Sequence, residues 1–128
     1  MGDLHGDFTP LYSIRPETYL CLLTGDFCVL NYRGEEKQII LKNLEELPIE
    51  IAYINGNHDA PTPFKFPLTL WNGGLVHRIA INLVMLLPGE IYYILNKKVF
   101  SFGGGYSIDR AYRELGRDYW PQEMPSPD

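Results

Sequence analysis

Three short glycine-containing clusters carry side chains that could hold a metal ion. They occupy residues 2–6 (Gly-Asp-Leu-His-Gly), 25–27 (Gly-Asp-Phe) and 56–59 (Gly-Asn-His-Asp). Aspartate, histidine and asparagine offer hard oxygen and borderline nitrogen donors, a set that suits Mn, Fe or Zn better than a thiolate site or an all-oxygen calcium site. The neighbouring glycines let the backbone turn sharply and let a phosphate or a metal approach closely. The pattern indicates metal-dependent hydrolysis of phosphoesters.

The spacing of these side chains is compatible with shared metal ligation. Asp3 and His5 are two positions apart, so in an extended segment both would face one side and could bind one ion. Asp26 follows an apolar run, residues 19–23, that is typical of a strand buried on both faces. Because a carboxylate has two oxygens, it can bridge two cations roughly 3.5 to 4 Å apart. We assign this bridging role to Asp26.

The clusters and their order resemble the motifs of the calcineurin-like metallophosphoesterase superfamily, which read D-x-H, G-D and G-N-H-D/E. Residues 102–110 and 120–126 are similar to blocks shared by a bacterial and phage-encoded branch of that superfamily. The resemblance spans the chain without covering the whole family domain. Family members have a strand before D-x-H and two further His motifs, the last of the G-H-x-H kind, and this chain contains neither. We therefore expect residues 1–128 to form a single partial domain that is truncated at both ends.

The resemblance implies an α/β fold. It would be a partial metallophosphoesterase sandwich of mixed β-sheets flanked by helices, with the first strand and the C-terminal part missing. It also implies two divalent metal ions as cofactors, Mn, Fe or Zn. Asp3 and His5 would bind the first metal, Asp26 would bridge both, and Asn57 would bind the second through its amide oxygen.

The resemblance further implies the catalytic roles in the third cluster. His58 would act as general acid beside the leaving oxygen, held in orientation by Asp59. Asn57 and His58 would contact the phosphate of a phosphoester substrate. A bridging hydroxide, acidified by the two cations, would attack phosphorus in line.

Each cluster alone also has an ordinary structural explanation, since Gly-Asp and Asn-Gly sequences are common in turns. Three clusters in the family order, two of them at predicted strand ends, favour a site. His77, within an apolar run, is interpreted as a structural strand histidine. Asp109 and Arg110 are interpreted as a surface ion pair, and the aromatic tail as packing.

Composition and charge indicate the class of protein, the partners it can bind and its compartment. The chain has 128 residues, of which 45% are hydrophobic and 21% charged, and this is typical of one globular domain. A net charge of −5 provides no basic stripe, so nonspecific binding to nucleic acid is not expected. The apolar stretches are too short to span a membrane and no signal peptide is present, which predicts a cytoplasmic protein. Cys21 and Cys28 are interpreted as buried or half-buried thiols without a disulfide.

The elements around the clusters predict a parallel sheet. Residues 35–47 have helical periodicity, with acidic residues in the first turn and Pro48 as the stop. Residues 49–54 form a second apolar strand that runs into the third cluster. A strand, a helix and a strand predict a right-handed crossover with parallel strands. Ligands bind beyond the carboxyl ends of such strands, where the second and third clusters fall.

Beyond the third cluster, the sequence predicts an irregular, proline-rich connection and then antiparallel strands. The strands would begin at about Leu75. The clearest pair is a hairpin of residues 90–95 and 98–102 with a turn near residues 96–97. The tail from Trp120 is expected to be extended.

Departures from the family pattern limit the expected activity. Many relatives continue the second motif with another aspartate, where this chain has Cys28. Without the downstream histidines, the second metal would keep only Asp26 and Asn57. We therefore expect weak metal binding, poor hydrolysis and self-association through an exposed sheet edge.

The alternatives are a degenerate, non-catalytic module that binds metal or phosphate, and an inert truncation product. The protein Ser/Thr phosphatase branch is one candidate substrate class.

Overall fold

The fold combines one helix-connected pair of strands with a series of antiparallel strands. The computed structural model describes residues 1–2, 4–15, 17–56 and 66–103. Within these ranges there are one α-helix, α1 (Gly34–Glu45), and two short 3₁₀ helices (Thr9–Ser13 and Val29–Asn31). The strands are β1 (Leu20–Leu23), β2 (Glu50–Tyr53), β3 (Leu68–Trp71), β4 (Gly74–Ala80), β5 (Leu83–Leu86), β6 (Ile91–Ile94) and β7 (Lys97–Phe100). The chain is therefore of mixed α/β class.

The five-stranded sheet is mixed, with strand order β1-β2-β5-β4-β3. β1 is parallel to β2 and β2 is parallel to β5, whereas β4 is antiparallel to both β5 and β3. β6 and β7 form a separate two-stranded antiparallel sheet. The predicted parallel pair with a helical connection is confirmed. Since β1 and β2 are parallel, the segments that follow them meet at one edge of the sheet.

Helix α1 begins and ends close to its predicted limits. Glu35 and Glu36 lie in its first turn, where carboxylates interact favourably with the free N–H groups of the helix. Leu44 is fully buried on the core-facing side. The helix ends at Glu45, two residues earlier than predicted, because the Leu47 N–H bonds to the Leu44 carbonyl at 3.1 Å and tightens the last turn.

A side chain from a distant turn ties the end of α1 to the start of β2. Asn82, between β4 and β5, donates from Nδ2 to the Leu44 carbonyl at 2.9 Å and to the Ile49 carbonyl at 3.0 Å. The bond to Leu44 adds a second donor to a carbonyl at the end of the helix, and the bond to Ile49 lies directly before β2. Asn82 thus fixes the connection that determines where β2 enters the sheet.

The second half of the described chain differs from the prediction at two turns. β3 begins before Leu75, and it joins β4 through Asn72 and Gly73, whose φ values are 49° and 87°. The β6–β7 turn is formed by Leu95 and Asn96, with φ values of 50° and 63°, so the predicted turn lay one residue too late. Two-residue hairpin turns with positive φ at both positions match the twist of the flanking strands.

The sheet is covered on both faces. One cluster packs between the sheet and α1, with Leu23, Phe27 and Leu44 almost completely buried. The second lies between the sheet and β6 and is built around Trp71 and Tyr92. No helix in the described ranges is long and apolar enough to cross a membrane.

Both cysteines are buried and neither forms a disulfide, as predicted. Burial raises the pKa of the Cys21 thiol, because the thiolate would lose its hydration. Such a thiol is a poor nucleophile near neutral pH, and it acts here as a small apolar side chain.

The outer edge of β1 is open except where Met1 bonds to the Leu22 carbonyl and the Thr24 N–H. β1 pairs with β2 on one side, and within the described ranges no strand lies along its other side. By the alternation of a strand, the backbone groups of Leu20 and Leu22 point to this outer side. A groove of about 520 Å³ runs beside them and is lined by apolar side chains, including Ile94 and Leu95. An open edge of this kind is a template for pairing with another chain.

We therefore expect the chain to self-associate through the β1 edge. Tyr19, which borders the groove and is 59% exposed, should weaken this association when it is replaced by lysine, because a charge on an edge strand opposes pairing. Tyr12 is 53% exposed and lies outside the groove, so Tyr12→Lys is the matched control. Sedimentation across a concentration series measures the effect. A wild-type chain that stays monomeric at every concentration would contradict the expectation.

Candidate metal centre

The first residues of the chain lie beside the end of β1. The Met1 ammonium donates to the Leu22 carbonyl at 3.2 Å, and the Thr24 N–H donates to the Met1 carbonyl at 2.8 Å. This pair of bonds is the pattern of a parallel bridge. It brings the first cluster to the same sheet edge as the second.

Backbone hydrogen bonds then join the first cluster directly to the second. The His5 N–H donates to the Asp26 carbonyl at 2.7 Å, and the Gly6 N–H donates to the Phe27 carbonyl at 3.3 Å. His5 has a φ of 49° and Gly6 a φ of 82°, so the segment turns here. The prediction that His5 lies in an extended segment is therefore wrong. The turn, rather than strand alternation, directs the imidazole.

The side chains of His5 and Asp26 face each other across the junction. His5 Nε2 lies 3.6 Å from Asp26 Oδ2. The Asp26 side chain is only 10% exposed, whereas that of His5 is 49% exposed. Asp26 has a φ of 51°, a left-handed conformation that aspartate and asparagine adopt more readily than most residues. The pair combines a buried carboxylate with an imidazole that solvent can reach.

The third cluster approaches the same carboxylate through Gly56. A Cβ atom at Gly56 would collide with both the Oδ1 atom and the backbone nitrogen of Asp26, and it would lie 2.9 Å from Cγ. Glycine is therefore required here for close approach of the two backbones. The two oxygens of Asp26 face different clusters, since Oδ2 faces His5 and Oδ1 faces Gly56.

An aromatic cluster supports this junction from the core. Phe27 is fully buried, and its ring contacts Phe8 and Tyr53 at centroid distances of 5.3 and 5.1 Å. Tyr32 lies against Phe8 at 6.0 Å and donates from its hydroxyl to the Gly6 carbonyl at 3.1 Å. Neither Phe8 nor Tyr32 was predicted to lie at the site. Their aromatic character was visible in the sequence, but their proximity to the first cluster was not.

Gly103, the first of three consecutive glycines after β7, lies at the end of β2. A Cβ atom at Gly103 would collide with the Asn55 carbonyl and the Ile54 side chain. The start of this run therefore packs beside the third cluster. The rest of the run, Asp109, Arg110 and the tail from Trp120 lie outside the described residues.

The donor atoms that the structure describes could supply part of the ligand set of a single metal ion. Ligand atoms of one ion at roughly 2.0 to 2.2 Å can be no more than about 4.4 Å apart, so the 3.6 Å separation of His5 Nε2 and Asp26 Oδ2 is compatible with shared ligation. Among the described residues, no group of three His, Cys, Asp or Glu side chains could hold an ion. The remaining predicted site residues, Asp3, Asn57, His58 and Asp59, lie outside the described ranges. Their roles stay predictions.

His77 lies apart from this pair. It belongs to β4, and its Nδ1 atom lies 3.1 Å from the Phe66 carbonyl. β4 is three strand positions from β1, which corresponds to about 14 Å at the usual spacing of strands. Its position within a strand agrees with the structural interpretation.

Comparison with known proteins adds no family assignment. No family model, curated protein or solved structure matches this chain. The resemblance to metallophosphoesterases rests on the sequence motifs.

Proposed function

We propose that the three clusters form a site for metal-dependent hydrolysis of phosphoesters, of the calcineurin-like metallophosphoesterase kind. The observation that carries the proposal is the position of Asp26 at the end of a parallel strand. One oxygen of its carboxylate faces His5 of the first cluster, and the other faces Gly56 of the third cluster. A carboxylate whose two oxygens face two different segments of the chain is suited to bridge two cations.

The electrostatics of the junction agree with this role. Asp26 is 7% exposed, and a buried carboxylate is unfavourable unless a cation or hydrogen bonds compensate for its lost hydration. A half-exposed imidazole beside it leaves a path from solvent to the carboxylate. In this proposal Asp3 completes the first metal site and Asn57 contributes to the second, both assigned from their motifs.

Two divalent ions, Mn, Fe or Zn, would supply Lewis acidity to the phosphoryl group and to an attacking water. The chain's own contribution is to hold and orient. His5 and Asp26 would hold the cations, Asn57 and His58 would contact the phosphate, and His58 would give a proton to the leaving oxygen while Asp59 orients it. The substrate would be a phosphomonoester or a phosphodiester.

A second candidate is a degenerate module that binds one metal or a phosphate without turnover. The observation that favours it is the small number of histidines: the sequence has three, His5, His58 and His77, and His77 lies in β4, away from Asp26. Both candidates require divalent cations or phosphate at His5 and Asp26. They differ in whether bond cleavage follows.

Metal titration and an assay with an aryl phosphate test the proposal on the full chain. We expect weak binding of Mn²⁺ and little turnover. His5→Gln should reduce the Mn²⁺ affinity by at least about tenfold, because it removes a ligand, whereas His77→Gln should leave the affinity unchanged. Mn²⁺-dependent hydrolysis that is lost in His5→Gln would support an enzyme, and binding without hydrolysis would support the module. Equal Mn²⁺ affinity of the wild type and His5→Gln would contradict both candidates.

A further inference from the structure

Tyr32 reaches the first cluster from a distant part of the chain. It follows the 3₁₀ helix Val29–Asn31, and its hydroxyl donates to the carbonyl of Gly6, 26 positions earlier in the sequence. Gly6 comes directly after His5. The hydroxyl thus holds the backbone one residue away from the imidazole of the candidate metal centre.

Both the N–H and the carbonyl of Gly6 form hydrogen bonds. Its N–H donates to the Phe27 carbonyl at 3.3 Å, and its carbonyl accepts from the Tyr32 hydroxyl at 3.1 Å. The preceding residue, His5, has a φ of 49°, which costs free energy for a residue with a side chain. Surrounding contacts must offset that cost, and they include the bond from Tyr32 and the bond from the Asp7 N–H to the Leu4 carbonyl at 2.9 Å.

The ring of Tyr32 is itself well supported. It packs against Phe8 at 6.0 Å with an angle of 60° between the ring planes, and Phe8 meets the buried Phe27 edge to face at 5.3 Å. The hydroxyl is therefore positioned by the core of the domain rather than by a loose surface loop. A core-anchored donor is well suited to hold a turn whose backbone is strained.

We propose that Tyr32 is a positioning residue for His5. Its hydroxyl fixes the Gly6 carbonyl, and this keeps the His5 imidazole directed at Asp26. The metal-related part of this inference rests on the proposed function, in which His5 is a metal ligand. Residues that orient metal ligands typically change metal affinity by 10- to 100-fold when they are removed.

Tyr32→Phe tests the proposal because it removes the hydroxyl and keeps the ring. Tyr92→Phe is the matched control, since the Tyr92 hydroxyl accepts from the Leu87 N–H at 2.9 Å and donates to the Leu75 carbonyl at 2.7 Å, away from the candidate metal centre. Thermal unfolding of both variants measures the structural cost. Tyr92→Phe should lower the melting temperature at least as much as Tyr32→Phe, because it removes two hydrogen bonds instead of one.

Two measurements distinguish a positioning role of Tyr32 from a general contribution to stability. The first is amide hydrogen exchange at His5 and Gly6, each measured relative to the amide of Val84 in the core. Tyr32→Phe should accelerate this relative exchange about five- to tenfold, the size of one net hydrogen bond, and Tyr92→Phe should not change it. The second is Mn²⁺ affinity, which should fall about tenfold in Tyr32→Phe and stay constant in Tyr92→Phe.

Unchanged relative exchange at His5 and Gly6 in Tyr32→Phe would overturn the proposal, whatever the metal data. Faster exchange with an unchanged Mn²⁺ affinity would overturn the link between the turn and the metal. A wild-type chain that binds no Mn²⁺ would contradict the proposed function alone, and the exchange data would still decide whether Tyr32 positions His5. The two hypotheses can therefore fail separately.

Discussion

Asp26→Asn should abolish detectable binding of divalent metal while the chain stays folded. The substitution removes the negative charge and replaces one carboxylate oxygen by an amide nitrogen, which is a poor ligand and cannot bridge two cations. The structure also explains why the fold should survive. Asp26 has a φ of 51°, and asparagine is among the residues that tolerate this left-handed conformation best. We expect the Mn²⁺ affinity to fall by more than about 100-fold, beyond the loss typical of residues that only orient a ligand.

Titration calorimetry with Mn²⁺ and Zn²⁺ measures the metal affinity of the variant, and thermal unfolding measures its stability. Asp7→Asn is the matched control, because it makes the same chemical change in an exposed carboxylate near the first cluster. Asp7 Oδ1 accepts from the Thr9 N–H at 3.1 Å, and hydrogen bonds from the side chain and the backbone of Thr9 lower the pKa of Asp7. Asparagine keeps an oxygen acceptor there, so metal affinity should not change. An Asp26→Asn chain that binds Mn²⁺ as the wild type does would exclude Asp26 as a ligand.

The part of the fold that positions the site could be predicted because its signals are local. The apolar run that became β1, the periodicity of α1 and the second apolar run each specify an element through neighbours in sequence. A helical connection makes the two strands parallel, and their carboxyl ends then lie together. Asp26 was therefore predicted to lie at a strand end beside the third cluster. The contact of Gly56 with Asp26 agrees with it, while Asn57, His58 and Asp59 lie outside the described residues.

The errors occurred where conformation depends on contacts that are distant in sequence or on uncommon backbone angles. Leu95 adopts a φ of 50°, which a leucine gives no reason to expect, so the hairpin turn was placed one residue late. The Asn72-Gly73 pair, in contrast, is a strong hairpin signal that was present in the sequence and was overlooked. The hydrogen bonds of Asn82 and Tyr32 span 38 and 26 positions and leave no periodic trace.

The largest expected effect on stability is that of Gly56→Ala. A Cβ atom at this position would overlap the backbone nitrogen and the carboxylate of Asp26. The backbone of Asp26 cannot easily move away, because its carbonyl accepts the His5 N–H at 2.7 Å and it follows the paired strand β1. Overpacking of this kind typically costs about 1 to 3 kcal/mol. The collision should also displace the carboxylate, so we expect metal affinity to fall along with stability.

Gly74→Ala is the control that separates these two losses. A Cβ atom there would lie 2.6 Å from the Tyr92 ring and 2.9 Å from the Ile91 carbonyl, so it imposes a similar overlap between β4 and β6. It should lower the free energy of unfolding by a comparable amount and leave the Mn²⁺ affinity of the folded chain unchanged. Denaturant unfolding and calorimetry on both variants decide the matter. If Gly56→Ala unfolded like the wild type, the close approach of the second and third clusters would be wrong. If it lost stability but kept its metal affinity, the carboxylate of Asp26 would not depend on the space that this glycine leaves beside it.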